Sequence, residues 1–308
     1  MRRAQTSLHF ALIGSDRVGE VREVGMPHEF LDELQLQRYL RALGVSRREP
    51  TLAALEELVA AHLARIPFEN VSKLYYRRRY GLSSVPDIER FLGGVEQYRF
   101  GGTCYTNNWH LFRLLASLRY NVKLCAADMK VPDVHAVIVL LLDGHEYLID
   151  AGYAAPFCRP LPRDLKTDYA VALGRDRYVL KPQDINGCSR LELYREGELK
   201  HRYVAKPAPR RIEDFNGVIA DSFRPDATFL NSLLVTRAWE DRSVMIHNLA
   251  LIESHGADHS IRTLAGRGEL VAKVEEFFGI PRMIVAEAVG ELRELQDPWE
   301  LPSNVSSS

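Results

Sequence analysis

The chain predicts an α+β protein in three successive parts, and three changes of texture carry that prediction. Across residues 26–120 apolar side chains recur at helical spacing, and across 121–214 they fall into short β-rich runs parted by turn residues. From 215 to 308 short strands give way to amphipathic helices. With 308 residues the chain exceeds one ordinary core of ~150, so several units sharing one site are expected. Residues 1–25 carry scattered charge without periodicity. They read as a poorly ordered extension, or as an upstream start with Met26 the true first residue; a short strand through Leu8 to Ile13 is the alternative.

The helical part opens with Phe30, Leu31, Leu34, Leu36, Tyr39, Leu40 and Leu43, stopped by Gly44. Thr51 is the N-cap of a second helix, Leu52, Leu55, Leu58, Val59, His62 and Leu63, which ends before Pro67. Arg65 to Asn70 forms a corner in which Pro67 fixes the turn and Phe68 is free to pack back. The basic run Tyr75 to Tyr80 reads as a solvated face, with a phosphate site as its rival. A short helix from Ile88 to Leu92 is expected to end at Gly93-Gly94. A further helix carries Leu111, Phe112, Leu114, Leu115 and Leu118.

After Asn121 the runs Val122 to Ala126, Val134 to Leu142, Glu146 to Ile149, Tyr178 to Leu180, Leu191 to Tyr194 and His201 to Val204 have the composition of a barrel or sandwich. In the last part Thr228 to Leu230 and Leu233 to Val235 read as strands. Glu269 to Phe278 and Val285 to Leu295 read as helices, and Pro302 to Ser308 as a polar tail.

Composition removes several classes of function. A formal net charge of −1 argues against a phosphate-backbone binder, so no nucleic-acid partner is expected. Cys104, Cys125, Cys158 and Cys188 contain no C-x-x-C pair and no zinc spacing, so neither a structural metal nor a redox dithiol is indicated. Reduced thiols in the cytoplasm are the simplest reading. Met1-Arg2-Arg3 is not followed by an apolar signal core, and the longest apolar run falls far short of the ~20 residues that span a bilayer. No P-loop, complete G-x-G-x-x-G, G-x-S-x-G or H-E-x-x-H is present.

Chemistry concentrates around Phe100-Gly101-Gly102-Thr103-Cys104, where a cysteine follows a glycine pair and stands at or near a helix start. The partial positive charge of that end favours a thiolate. Downstream, Asp143-Gly144 is a strong two-residue hairpin signal, which pairs Leu142 with His145 and sets Asp150 opposite Val137. His135 and Asp150 then become diagonal neighbours on one sheet face, with Cβ atoms roughly 7 Å apart. Buried in an apolar hairpin, they cost stability unless they satisfy each other. A purely structural pair is the bland reading. Joined to Cys104, they supply a nucleophile, a base and an orienting carboxylate, the parts needed for acyl transfer through a thioester. His145 by the turn tip and His110 farther along the cysteine helix are weaker candidates.

Three motifs in register carry a resemblance. Ile66-Pro67-Phe68-Glu69-Asn70 looks like I-P-F-E-N, Gly101-Gly102-Thr103-Cys104 like R-G-G-x-C, and Asp150-Ala151-Gly152-Tyr153 like D-V-G-F-G of the arylamine N-acetyltransferases. His135 lies 31 residues after Cys104 and Asp150 another 15 on, which is similar to that family's spacing. The resemblance implies a papain-like cysteine acyltransferase fold: an N-terminal helical bundle with Cys104, a central β-barrel with His135 and Asp150, and a C-terminal α/β lid. It further implies a ping-pong reaction in which acetyl-coenzyme A, a cosubstrate rather than a bound cofactor, acylates Cys104. An arylamine or hydrazine, as in xenobiotic metabolism, then takes the acyl group, with Phe68 and Tyr153 helping to line the acceptor cleft. Alternatives on the same chemistry are an amide synthase that releases a polyketide chain from an acyl carrier protein as a macrolactam, and a cysteine hydrolase. Phe100, Thr106 and Ala154 depart from the family pattern. From the first two we expect a charged contact bracing the cysteine loop in relatives to be exchanged here for apolar packing by Phe100.

Overall fold

The computed structural model describes residues 30–292 and 295, so the readings of residues 1–25, Met26 and the tail from Pro302 lie outside the described residues. Helix α1 (Glu33–Leu43) starts at Asp32, whose side chain and that of Gln35 cap each other's backbone N–H, and ends at Gly44 with φ 64°. In α2 (Leu52–Arg65) the Thr51 hydroxyl accepts from the Ala54 N–H. Helix α2 buries Leu55, Leu58, Val59, His62 and Leu63 as expected, and α1 buries Leu36, Tyr39, Leu40 and Leu43, but Leu34 and, before the helix, Phe30 are exposed.

Strand β1 (Phe68–Glu69) and helix α3 (Val71–Tyr80) follow, then α4 (Ile88–Tyr98) and α5 (Cys104–Ser117). Helix α4 does not stop at the glycine pair but runs through it to Arg99, which takes the left-handed conformation with φ 58°. An interior glycine costs only about 1 kcal/mol. The absence of a side chain at Gly94 is what lets the Tyr76 hydroxyl and the Phe100 ring pack against the helix. In α5 every residue from Cys104 to Leu115 is buried, which makes it the central helix of the molecule.

An antiparallel eight-stranded sheet wraps beside that helix: β2 (Asn121–Asp128), β3 (His135–Leu142), β4 (His145–Ile149), β5 (Leu161–Pro162), β6 (Tyr169–Leu173), β7 (Asp176–Leu180), β8 (Ser189–Arg195) and β9 (Glu198–Pro209). Their order is β5-β4-β3-β2-β9-β8-β7-β6. One face of β2 and β3 (Leu124, Ala126, Ala136, Ile138, Leu140) joins the helical core, and the other (Cys125, Val137, Val139) fills the barrel with Phe157, Tyr178 and Tyr203. Burial on both faces explains why residues 136–140 read as an unbroken apolar run.

Helix α6 (Asn216–Asp221) leads to a 3₁₀ turn at Thr228–Leu230, where a strand was expected. Strands β10 (Leu234–Ala238), β11 (Arg242–His247), β12 (Ala250–His255) and β13 (Asp258–Thr263) complete a second sheet ordered β1-β10-β11-β12-β13. Helices α7 (Arg267–Phe278) and α8 (Arg282–Gly290) share a core with this sheet and α3. Through Phe68↔Thr236 and Glu69↔Val235, β1 makes the Pro67 corner an edge of that sheet. Within the basic run on α3, Tyr75 and Tyr76 are buried in this core while Arg78, Arg79 and Tyr80 face solvent, Arg78 pairing with Glu287 of α8 and with Glu291 just past it.

Two histidines, His62 and His110, are fully buried in the helical core, and burial pushes both down to about 3, helped at His110 by the Arg113 charge. Their folded values lie below the unfolded value of ~6.5, so the unfolded chain binds these protons first. The stability they contribute is complete above ~6.5 and is lost as pH falls toward about 3. Urea melts should therefore show stability falling from pH 7 to 4.5 by about 2 kcal/mol for each histidine. His62→Gln should shallow that slope. A slope identical in wild type and variant would contradict the assignment.

Candidate active site

The corner and the cysteine loop are clasped together before any catalytic group is considered. The Glu69 N–H donates to the Gly102 carbonyl at 3.0 Å, and its carboxylate accepts from the Gly101 N–H (3.1 Å) and the Ser72 N–H (2.7 Å). A side chain at Gly101 would run into the Pro67 carbonyl. With the loop pinned on both sides, Thr103 becomes the N-cap residue and Cys104 the first residue of α5.

The departure at Phe100 is explained by this clasp. Its buried ring packs against Tyr75, Tyr76 and Tyr98 with centroids 5.2–5.8 Å apart, so apolar packing has taken the position, as expected. A carboxyl does remain at the loop, on Glu69, which accepts from the Gly101 N–H. Glu69 is fully buried with no cation within ion-pair distance among the described residues. Burial raises its pKa, against the pull of the backbone N–H groups of Ser72 and Gly101. Thr106 instead packs over Gly102.

The hairpin has the register inferred from its turn, Leu142↔His145 through Ile138↔Ile149. His135 and Asp150 accordingly meet, His135 Nε2 lying 2.8 Å from Asp150 Oδ2 with both side chains buried. The other imidazole nitrogen is left for Cys104, whose sulfur raises the His135 pKa and itself lies 4.0 Å from the Val134 carbonyl, one residue before His135. Burial works to lower the His135 pKa, but the Asp150 charge, the Asp150 hydrogen bond and the Cys104 sulfur outweigh it, so the imidazole is held charged well above its ordinary range. Asp150 is correspondingly held below the usual carboxylate range: burial pushes it up, and His135, Asn108 and Tyr203 pull it further down.

Two supporting residues were missed by the sequence reading. Asn108 Nδ2 donates to Asp150 Oδ1 (2.9 Å) and to the Ala136 carbonyl (2.6 Å), while its Oδ1 accepts from the Ala151 N–H (2.9 Å). The Tyr203 hydroxyl donates to Asp150 Oδ2 at 2.9 Å and the Gly152 N–H to Oδ1 at 3.0 Å. Asn108 was findable: four residues after Cys104, it shares that face of the helix. At Gly152 a Cβ would come within 2.5 Å of the Cys104 Cα, so only glycine lets the end of β4 press on the helix start.

Phe68 is buried, edge-on to Phe229 at 5.8 Å. Tyr153 is half-buried, its ring 6.0 Å from His135 and its hydroxyl 2.7 Å from His201 Nδ1. The weaker histidines stand apart: exposed His145 pairs with Asp164, and His110 sits beneath the Pro86 carbonyl. Burial pushes Cys125 up to about 11 and Cys158 up to about 12, and raises Cys188 as well. Among the described residues no cluster of His, Cys, Asp or Glu is arranged to hold a metal.

Fold and sequence together define a transferase. The sequence profile described as N-acetyltransferase matches residues 51–284. The chain belongs to the arylamine N-acetyltransferase family. It is 26% identical over 240 residues to the arylamine N-acetyltransferase of Mycolicibacterium smegmatis, covering 73% of this chain and 85% of that one. It is also 24% identical over 263 residues to proansamycin X synthase of Amycolatopsis mediterranei (strain S699), covering 79% and 96%. The structure of the Mycobacterium marinum arylamine N-acetyltransferase in complex with CoA superposes with a TM-score of 0.70 at 23% identity, covering 83% of this chain and 99% of that one.

Removing the Asp150 charge should uncouple the imidazole from the thiol. We expect Asp150→Asn to move the pH profile of Cys104 alkylation by iodoacetamide upward, because without the carboxylate the imidazole loses the charge that favours the thiolate. Circular dichroism should show the variant folded. An unmoved profile would leave the pair a structural one.

Proposed function

We propose that the chain moves an acetyl or other short acyl group from coenzyme A to an arylamine or hydrazine, by two half-reactions through a thioester on Cys104. The observation that supports this best is the His135–Asp150 hydrogen bond, with the Cys104 sulfur at the adjoining Val134 carbonyl, in a chain of this family. In the first half-reaction His135 holds the thiol proton and the Cys104 sulfur attacks the thioester carbonyl. The carbon–sulfur bond to coenzyme A breaks, and the departing thiolate takes the proton from His135. In the second, a neutral amine attacks the acyl-enzyme. His135 accepts the amine proton and returns it to the Cys104 sulfur as the amide leaves.

Asp150 neither gives nor takes a proton in this scheme. It orients the imidazole and stabilises its charged form. Phe68 and Tyr153 are proposed to flank the acceptor, Tyr153 because its ring lies beside His135. A cytoplasmic setting belongs to the same proposal and suits four free cysteines. Among the described residues no helix is long and apolar enough to cross a membrane.

Incubation with acetyl-coenzyme A should add one acetyl mass to the intact protein, mapped by peptide mass spectrometry to Cys104. Cys104→Ser should abolish the adduct, and adding an arylamine should discharge it as the acetamide. A label on Cys125, Cys158 or Cys188 would overturn the assignment of the nucleophile, and discharge at the same rate without amine would make the protein a hydrolase.

A further inference from the structure

Beside the cysteine loop lies a shallow open hollow bounded by α3, the start of α5 and the segment after α6. Its lining includes Gly102, Thr103 and Thr106 on the nucleophile's side and Lys73, Ser222 and Phe223 opposite. Lys73 is its one cationic lining residue, and the lining contains no aspartate or glutamate. The Lys73 ammonium donates to the Ser222 carbonyl (2.7 Å) and hydroxyl (2.8 Å) and lies 4.1 Å from the centre of the Phe223 ring. Those two hydrogen bonds leave one of its three N–H groups. Among the described residues it forms no ion pair with a carboxylate. The mechanism above makes no use of it.

A half-buried cation, held by neutral groups and left without an anion, is costly unless something negative comes to it. We infer that Lys73 is a specificity-determining residue that receives a carboxylate carried by one of the reacting groups, on the acyl chain or on the acceptor amine. The reading rests on acyl transfer at Cys104. Proximity favours a reacting group over the phosphates of coenzyme A: Lys73 lines the same hollow as Thr103 and Tyr105, the residues on either side of Cys104, whereas the pantetheine arm holds those phosphates many bonds from the thioester.

Each half-reaction isolates one source of the carboxylate. For the donor, succinyl-coenzyme A is compared with butyryl-coenzyme A in acylation of Cys104. For the acceptor, para-aminobenzoate is compared with its neutral amide in discharge of the acetyl-enzyme. The quantity read is the charged-to-neutral ratio of kcat/KM within each variant, so a general loss of activity cancels. Lys73→Gln should lower the ratio roughly ten-fold or more in one of the two half-reactions, the scale of a lost charge-assisted hydrogen bond, and Lys73→Arg should keep most of it. A ratio unmoved in both halves, or lowered equally by the two variants, overturns the inference.

The wild-type protein supplies a second reading should either variant fail to fold. Burial first, and the Arg77 charge, lower the Lys73 pKa to about 8, against the raising effect of Cys104. Tyr76 and Tyr105, the other ionisable groups lining the hollow, are pushed upward by burial and stay neutral. Between pH 7 and 9 both carboxylate substrates keep their charge, so the ratio should fall as Lys73 discharges near 8. A flat ratio overturns the inference. If no donor acylates Cys104, the acyl-transfer reading falls and this one with it; acylation and discharge with flat ratios refute this one alone.

Discussion

Asp150 is a carboxylate buried almost without access to water, and the architecture around Cys104 follows from keeping it charged there. A lone buried carboxylate would neutralise itself by taking a proton. Here four donors prevent that: His135 from β3, Asn108 from α5, Tyr203 from β9, and the Gly152 N–H just past β4. These groups lie on the central helix, on two strands of the barrel and just past a third, so the carboxylate is served only when helix and barrel are docked. The sign is consistent with function. A depressed Asp150 value contributes stability above the unfolded range of ~3.9 that is lost on acidification, so folding and the charged imidazole are favoured over the same pH range.

Glu69 shows the opposite solution on the other side of the nucleophile. It too is buried, but it receives two backbone N–H groups and no cation, and burial raises its pKa. One carboxyl is thus held ionised to charge a histidine, while the other pins Gly101 to the corner and so sets where α5 begins. The tyrosine cage that seats Phe100 excludes water from that clasp and packs α3 against α4.

What was legible in the sequence was what local rules decide. Asp143-Gly144 fixed a two-residue turn, the turn fixed the register, and the register brought His135 to Asp150. Capping residues gave the starts of α1 and α2 in the same way. The helical break at Gly93-Gly94 failed because close packing against Tyr76 and Phe100 favours glycine at position 94 despite its poor propensity. Strands β11 to β13 went unread because they carry too few buried residues to print an alternating pattern; β13 is exposed along its whole length. Tyr203 was out of reach for another reason. Its place over Asp150 depends on the pairing of β9 with β2 across an irregular register, which no local signal announces.

The central claim is that Asp150 keeps His135 positively charged against the Cys104 sulfur at neutral pH, and imidazole nitrogen NMR reads this directly. With ¹⁵N-histidine label and His135 assigned by substitution, both ring nitrogens should show protonation at pH 7.5, with titration well above the ordinary ~6.5. A neutral imidazole at pH 7.5, titrating at or below ~6.5, would contradict the account.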